Sequence, residues 1–252
     1  PLVGLNILSV TVSERAGRWF VSVQCEQELL ICPATGGPVG VDLGIKSMAV
    51  CSDGQCFENP RALKKAQKKL CRVQRELSRR KKGGSNRDKT RRRLAKIHYR
   101  IANIRKNALH KATFAITAKT KPDNERPSVV VIEDLNVAGM VKNHRLAQAI
   151  VDVGLGEFRR QITYKAAWAG EQLVVAPRFF ASSRLCSVCG VVNSELTLAD
   201  RFWTCTCGAF HDRDENASIN LKNLATGSSS ESHACGESVR PESQAAFVEA
   251  RT

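Results

Sequence analysis

Two cysteine pairs, Cys186-x-x-Cys189 and Cys205-x-Cys207, lie 15 residues apart. Four thiolates grouped this way suit one tetrahedral Zn²⁺. Each pair is followed at once by a glycine, Gly190 and Gly208, which lets the backbone fold back and turn N–H groups toward sulfur. The second pair has one residue between its cysteines where two are commoner. A four-thiolate site has no open ligand position, so this zinc is structural. It can stiffen a nucleic-acid-binding loop but cannot itself cut.

Three carboxylates could supply the cutting chemistry. Asp42 lies within the apolar strand "VGVDLG", Glu133 ends "VVVIE", and Asp214 opens the last helix. An acid inside an apolar strand is costly unless it is paired or binds a cation. Two Mg²⁺ (or Mn²⁺) ions held by such carboxylates, about 4 Å apart, would activate water and stabilise the leaving oxygen of a phosphodiester. Helical spacing puts Asp214, Ala217, Leu221 and Leu224 on one face. The leucines must face the core, so Asp214 faces the sheet and Asp212 caps the helix or lies in solvent. Strand alternation places Glu133 and Asp134 on opposite faces without choosing between them.

These residues need elements to hold them. Residues 5–10 and 18–25 alternate around a "SERAG" turn and predict a hairpin. Residues 39–59 predict a buried strand, a turn, and a second strand closing on Asp53-Gly54. "SVVVIEDLNV" (128–137) predicts a strand buried on both faces. Residues 145–170 predict a helix broken near Gly154, with Leu146, Ile150, Val153, Phe158, Ile162 and Ala166 inward. "EQLVVAP" (171–177) predicts a further short strand. Between the first strands and these, Leu63, Ala66, Leu70, Val73 and Leu77, then Leu94, Ile97, Ile101, Ile104 and Ala108, predict two long amphipathic helices separated by Gly83-Gly84-Ser85-Asn86.

That helical segment, 61–111, carries 21 Lys and Arg against two acids, Glu76 and Asp88. Its balance of +19 exceeds the +15 of the whole chain, so the remainder is at −4. Charge concentrated this way predicts a surface facing a polyanion, with nucleic acid the default. Arg91, Arg92, Arg93, Lys64 and Lys68 are the candidate phosphate contacts.

The 252 residues, 42% apolar, suffice for one large core or two modest ones. Of ten cysteines, those at 25, 32, 51, 56 and 71 show no disulfide framework, and Cys235 stands alone, which fits a reducing cytosol. No apolar run approaches the roughly 20 residues of a membrane span, and no signal peptide is visible. A cytoplasmic, nucleoid-associated protein without membrane contact is expected. From Thr226 onward the composition predicts disorder. The chain opens on Pro1, which suggests a piece of a longer protein.

The motifs "GVDLGIKSMAV", "ALHKAT", "VVVIEDLNVAGMVKNH", "FRRQITYKAAW", "FFASSRLCSVCG" and "CTCGAFHDRDENASINL" resemble, in that order over roughly 39–225, the TnpB (OrfB) family carried by insertion sequences. Members have an RNase H-like RuvC nuclease core and are relatives of the type V CRISPR nucleases. The resemblance implies that Asp42, Glu133 and Asp214 are the catalytic, Mg²⁺-binding triad and that Cys186, Cys189, Cys205 and Cys207 bind zinc. It also implies RNA-guided cleavage of target DNA in the setting of transposition, with a guide RNA transcribed from the element's own end. Family members usually carry an N-terminal helical module inserted in a β-barrel, of which residues 1–34 would be a remnant.

The expected fold is α/β: an RNase H-like (RuvC) core with an inserted basic helical hairpin and an inserted zinc ribbon. The core would occupy 35–60, 119–181 and, with its last helix, 210–225. The hairpin would occupy 61–118, the ribbon 182–209 and the tail 226–252. A cleavage-inactive RNA-guided DNA binder and a zinc-ribbon RNA-binding protein are the alternative readings, and the oligomeric state is left open. The last explains the charge and the cysteines but not Asp42 inside an apolar strand.

Overall fold

The structure, a computed structural model, describes residues 4, 6–28, 31–117, 122, 124–197, 199–227 and 246–248. The chain opens with β1 (Asn6–Arg15) and β2 (Arg18–Glu26), paired antiparallel. The expected hairpin is present, but its turn is only Ala16-Gly17, both at positive φ (56° and 80°). This is the primed geometry whose twist matches that of the flanking strands. The alternation does not bury an apolar face here: Val10, Val12, Trp19 and Val21 are all exposed.

Next come β3 (Val39–Asp42), β4 (Ser47–Cys51) and β5 (Cys56–Glu58), an antiparallel meander whose second turn holds Gly54 at φ 86°. The two expected helices follow as α1 (Ala62–Arg79) and α2 (Ser85–Thr117). Leu70 and Val73 pack against Ile97 and Ile101, the positions the spacing marked. The second half of the chain supplies β6 (Val129–Ile132), α3 (Val137–Val141), α4 (Ala147–Val153), α5 (Leu155–Ala169) and β7 (Gln172–Val175). The break near Gly154 is real: the glycine sits at φ 79° between α4 and α5. After the cysteine segment, β8 (Phe202–Thr204) and β9 (Phe210–Asp212) pair antiparallel and lead directly into α6 (Arg213–Gly227). Most of the expected disordered tail lies outside the described residues. Within it, β10 (Ala246–Val248) pairs antiparallel with β2.

The chain divides into two compact units, one of residues 1–30, 62–104 and 233–252, the other of 31–61 and 105–232. In the first, β1, β2 and β10 form one sheet and the α1–α2 pair has its own apolar seam. The second is a mixed α/β unit built on a five-stranded sheet ordered β5-β4-β3-β6-β7, with β3, β6 and β7 parallel. The last part of α2 belongs to this unit. Its Leu109, Ala112 and Ile116 join Val41, Val130 and Ile132 of the sheet and Ile150, Phe158 and Ile162 of α4 and α5 in one core. The opposite face of the sheet carries α6, with Val131, Ala176 and Leu221 buried together.

One residue sets how closely α6 lies on β3. A Cβ at Gly40 would stand 2.1 Å from the Ser218 carbonyl oxygen and 2.4 Å from the Lys222 nitrogen, so only glycine allows this approach. No helix among the described residues is long and apolar enough to cross a membrane.

Candidate functional site

Pleat and register together decide which acids meet. In β3, Val41 points into the α2–α5 core, so Gly40 and Asp42 point to the α6 face. In β6, Val130 and Ile132 point into that same core and Val131 to α6. Val41 pairs with Ile132 in the parallel ladder, so the next residues, Asp42 and Glu133, stand side by side on the α6 face. Asp214 comes to them from the first turn of α6. Burial pushes Asp42 well above the usual carboxylate range, and the charges of Glu133 and then Asp214 push it further. Glu133 is also raised by burial, against the hydrogen bond from Ser182 and the nearby Arg213 guanidinium, which both lower it.

The neighbouring acids take other roles. Asp134 turns the opposite way, to Arg159 at 2.7 Å and Arg178 at 2.9 Å, and these hydrogen-bonded guanidiniums hold it below its ordinary range. Asp212 caps α6, its Oδ1 accepting from the Asp214 and Glu215 backbone N–H groups at 2.9 and 3.2 Å. Ala217 and Leu221 are buried, as the helical-face reading requires. Arg201 approaches Asp214 at 3.9 Å.

The three carboxylates fit a hard divalent cation. They offer only oxygen donors, Asp42 among them partly withdrawn from solvent, and they repel one another unless positive charge comes between them. They do not close up as the thiolates do. Among the described residues, the four cysteines are the one set of metal-ligating side chains whose ligand atoms all lie within 4.8 Å of one another.

Cys186 and Cys207 sulfurs are 3.8 Å apart and those of Cys189 and Cys205 3.5 Å apart. Four sulfurs at about 2.3 Å from one zinc would be about 3.8 Å apart, so the cluster could hold a metal such as zinc. Gly190 and Gly208 adopt positive φ (75° and 87°), but their N–H groups close the turns on the carbonyls of Cys186 and Cys205, each at 2.9 Å. It is the N–H of Val191 that meets the Cys189 sulfur and that of Cys207 that meets the Cys205 sulfur. Sequence reasoning missed His211, a buried ring whose Nε2 lies 3.1 Å from the Cys186 sulfur and which packs on Trp203. Such a contact orients a ligating thiolate from outside the metal's own shell.

It also missed Ser182, Asn216 and Asn220. Ser182 Oγ donates to Glu133 Oε1 at 2.5 Å. Asn216 and Asn220 are buried on α6 and bond the loop that leads into the first cysteine pair. Their spacing of four within "NASIN" is a detectable signal; Ser182 carries none.

In the other compact unit, Lys64, Lys68, Arg91, Arg92 and Arg93 are all exposed. Arg91 pairs with Asp88 at 3.2 Å, and Arg93 and Arg80 both pair with Glu76. The two acids of the segment thus engage two residues of the arginine triplet. Arg72, Arg75, Arg79 and Arg80 line an open groove around Glu76.

Residues 21–144 match the family model described as "Probable transposase" of the OrfB_IS605 type, and residues 156–221 match the Cas12f1-like TNB domain. A Streptomyces pristinaespiralis protein named "Putative RNA-guided DNA endonuclease" is 44% identical over 95% of this chain and 57% of its own length. The Escherichia coli K12 protein "Putative RNA-guided DNA endonuclease InsQ" is 36% identical over 93% of this chain and 60% of its own. The chain thus spans 57–60% of the length of these curated relatives. Among solved structures, a Cas12f1 chain from an sgRNA–target DNA complex aligns with a TM-score of 0.54 at 18% identity, over 86% of this chain and 56% of that one. A Cas12f chain from a CRISPR ternary complex aligns with the same TM-score at 20% identity, over 85% of this chain and 44% of that one. With its motifs in family order, both domain models matched and relatives similar along nearly its whole length, the chain belongs to the OrfB (TnpB) family of insertion-sequence proteins.

Proposed function

We propose that this chain forms the nuclease part of an RNA-guided DNA endonuclease, with Asp42, Glu133 and Asp214 as its catalytic, metal-binding carboxylates. The observation that carries this reading is the convergence of three acids on the α6 face, with Asp42 driven up by burial and by the other two. The sheet order supports an RNase H-like (RuvC) core: β3 is central, two antiparallel strands lie on one side and two parallel strands on the other. On this reading α1 and most of α2 are an insertion between β5 and β6, and the cysteine segment an insertion before α6.

Divalent cations, Mg²⁺ or Mn²⁺, would activate water and stabilise the leaving oxygen of the phosphodiester when bound. The chain's own residues prepare that chemistry. β3 and β6 fix Asp42 and Glu133 by their register, and the close approach at Gly40 brings Asp214 to them. Ser182 holds the Glu133 carboxylate and Asp212 caps the helix that carries Asp214. The cysteine cluster would take one structural zinc. The exposed basic residues of α1 and α2 would contact nucleic-acid phosphates, which suits guide RNA and target DNA as partners.

The test is cleavage of target DNA in Mg²⁺ by the full-length protein loaded with its guide RNA. Asp42→Asn, Glu133→Gln and Asp214→Asn are each expected to abolish cleavage, with doubles no worse than singles, while nucleic-acid affinity is retained. Asp212→Ala is expected to keep activity and lose about 1 kcal/mol of stability. Cleavage that survives Asp42→Asn would refute the assignment of these acids as the catalytic site. Retained guide-dependent DNA binding without any cleavage by the wild type would favour a binding protein.

A further inference from the structure

Glu133 lies just beyond the end of β6, outside the hydrogen-bonded ladder. Its side chain must be held against the repulsion of Asp42 and Asp214, and the Ser182 hydroxyl holds it at 2.5 Å. Ser182 is itself 4% exposed, and its carbonyl accepts from Asn220 Nδ2 at 2.8 Å. The same amide nitrogen donates to the Leu185 carbonyl at 2.6 Å, which also accepts from Asn216 Nδ2 at 2.7 Å. Asn216 Oδ1 accepts the Ser187 N–H at 3.0 Å. Leu185 and Ser187 flank Cys186. An unbroken run of hydrogen bonds therefore leads from the cysteine cluster, through two asparagines of α6, to a carboxylate of the acidic site.

We propose that Ser182, Asn216 and Asn220 form a lace that couples metal loading of the cysteine cluster to the grip of the acidic site on a divalent cation, with Ser182 as the positioning residue for Glu133. This rests on the reading of the acids as a cation site. Asn216 and Asn220 are 1% and 2% exposed, so the loop cannot leave α6 without stranding buried amides, and that is what makes the lace stiff. A zinc ion bound there would tie Cys186 and Cys189 to Cys205 and Cys207. Without it the 182–187 loop would be held by α6 alone, and Ser182 would be less firmly placed. Coupling is reciprocal, so a cation at the acids tightens zinc by the same factor that zinc tightens the cation.

The experiment measures Mn²⁺ binding to the whole chain from the electron paramagnetic resonance of free Mn²⁺. Mn²⁺ prefers carboxylate to thiolate, so emptied cysteines do not compete for it. Wild type, Ser182→Ala, Ser182→Thr and Asp42→Asn are compared with zinc present and with zinc removed by a chelator. Zinc removal is expected to weaken Mn²⁺ binding by wild type about fivefold or more, within the usual range of such couplings. Ser182→Ala is expected to show the same loss with its zinc still bound, and no further loss when zinc is removed. Ser182→Thr, which keeps the hydroxyl, is expected to restore both the affinity and its dependence on zinc. As the reciprocal readout on folded, loaded protein, saturating Mg²⁺ is expected to raise zinc affinity by the same factor in wild type and not in Ser182→Ala. Wild-type Mn²⁺ affinity in Ser182→Ala would overturn the proposal, as would an equal effect of zinc removal with and without the serine hydroxyl. Should wild type bind Mn²⁺ no better than Asp42→Asn, the cation site itself would fail, an outcome distinct from failure of the lace alone.

Discussion

Gly40→Ala tests the geometry of the acidic site without touching an acid. The added Cβ would stand 2.1 Å from the Ser218 oxygen, 2.4 Å from the Lys222 nitrogen and 2.9 Å from the Leu221 Cβ, where real Cβ contacts essentially never fall below 3.0 Å. The two closest atoms are helix backbone and cannot rotate aside. Relief requires α6 to move about 1 Å away from β3, and overpacking of this kind costs about 1–3 kcal/mol. At about 2–4 °C per kcal/mol for a chain of this size, the melting temperature should fall by about 2–12 °C. Asp214 travels with the helix. A misplacement of about 1 Å in a catalytic group can cost on the order of a hundredfold in rate. Cleavage should therefore drop by about two orders of magnitude while all three acids remain. Thermal unfolding and the cleavage assay read the two effects, and Gly37→Ala, where an added Cβ meets nothing within 4 Å, is the neutral control. Equal melting temperatures and rates for Gly40→Ala and Gly37→Ala would refute the argument that glycine sets the distance between helix and sheet.

Purified protein should contain about one zinc per chain and Cys189→Ser none; unchanged zinc content by elemental analysis would overturn the four-thiolate assignment. Replacing Lys64, Lys68 and Arg92 together with Gln should reduce the dependence of log affinity on log salt by about 2–3, at roughly 0.7–0.9 per lost phosphate contact, and a slope equal to wild type would place these residues away from nucleic acid. Burial pushes the Glu171 carboxyl up to about 8 from an ordinary 4.5. Its folded pKa is thus the higher one, so its contribution to stability is complete below pH 4.5 and lost as pH rises toward 8. Glu171→Gln should remove that decline, a difference of up to about 3 kcal/mol in denaturant unfolding between pH 5 and 8 because both carboxylate oxygens are shielded from solvent, and parallel pH profiles for the two proteins would refute it.

What could be read from the sequence followed from local physics. Helical spacing found both basic helices and the break at Gly154, because a left-handed residue interrupts a helix wherever it stands. An acid in an apolar strand singled out Asp42 because burying an unpartnered charge is costly anywhere. The charge surplus of 61–111 was also legible, but its internal pairing was not. Glu76 on α1 meets Arg93 from α2, a contact 17 residues long in sequence that no spacing rule anticipates. The hairpin of β1 and β2 was found by alternation, yet alternation does not say whether a face is covered.

The choice between Glu133 and Asp134 shows where local reading stops. Alternation states that they point apart, and either could join Asp42. The decision lies in the pairing of Val41 with Ile132 on a separate strand, which places residue 133 beside residue 42 on the α6 face. Asp134 is then left to the guanidiniums of Arg159 and Arg178. A one-residue slip in that register would turn the opposite side of β6 toward α6. Such a slip is opposed by the core itself, because it would carry Val130 and Ile132 out of contact with Leu109, Phe158 and Ile162. The apolar residues that flank Asp42 and Glu133 therefore also specify which acid faces it: packing on one side of the sheet selects the chemistry available on the other.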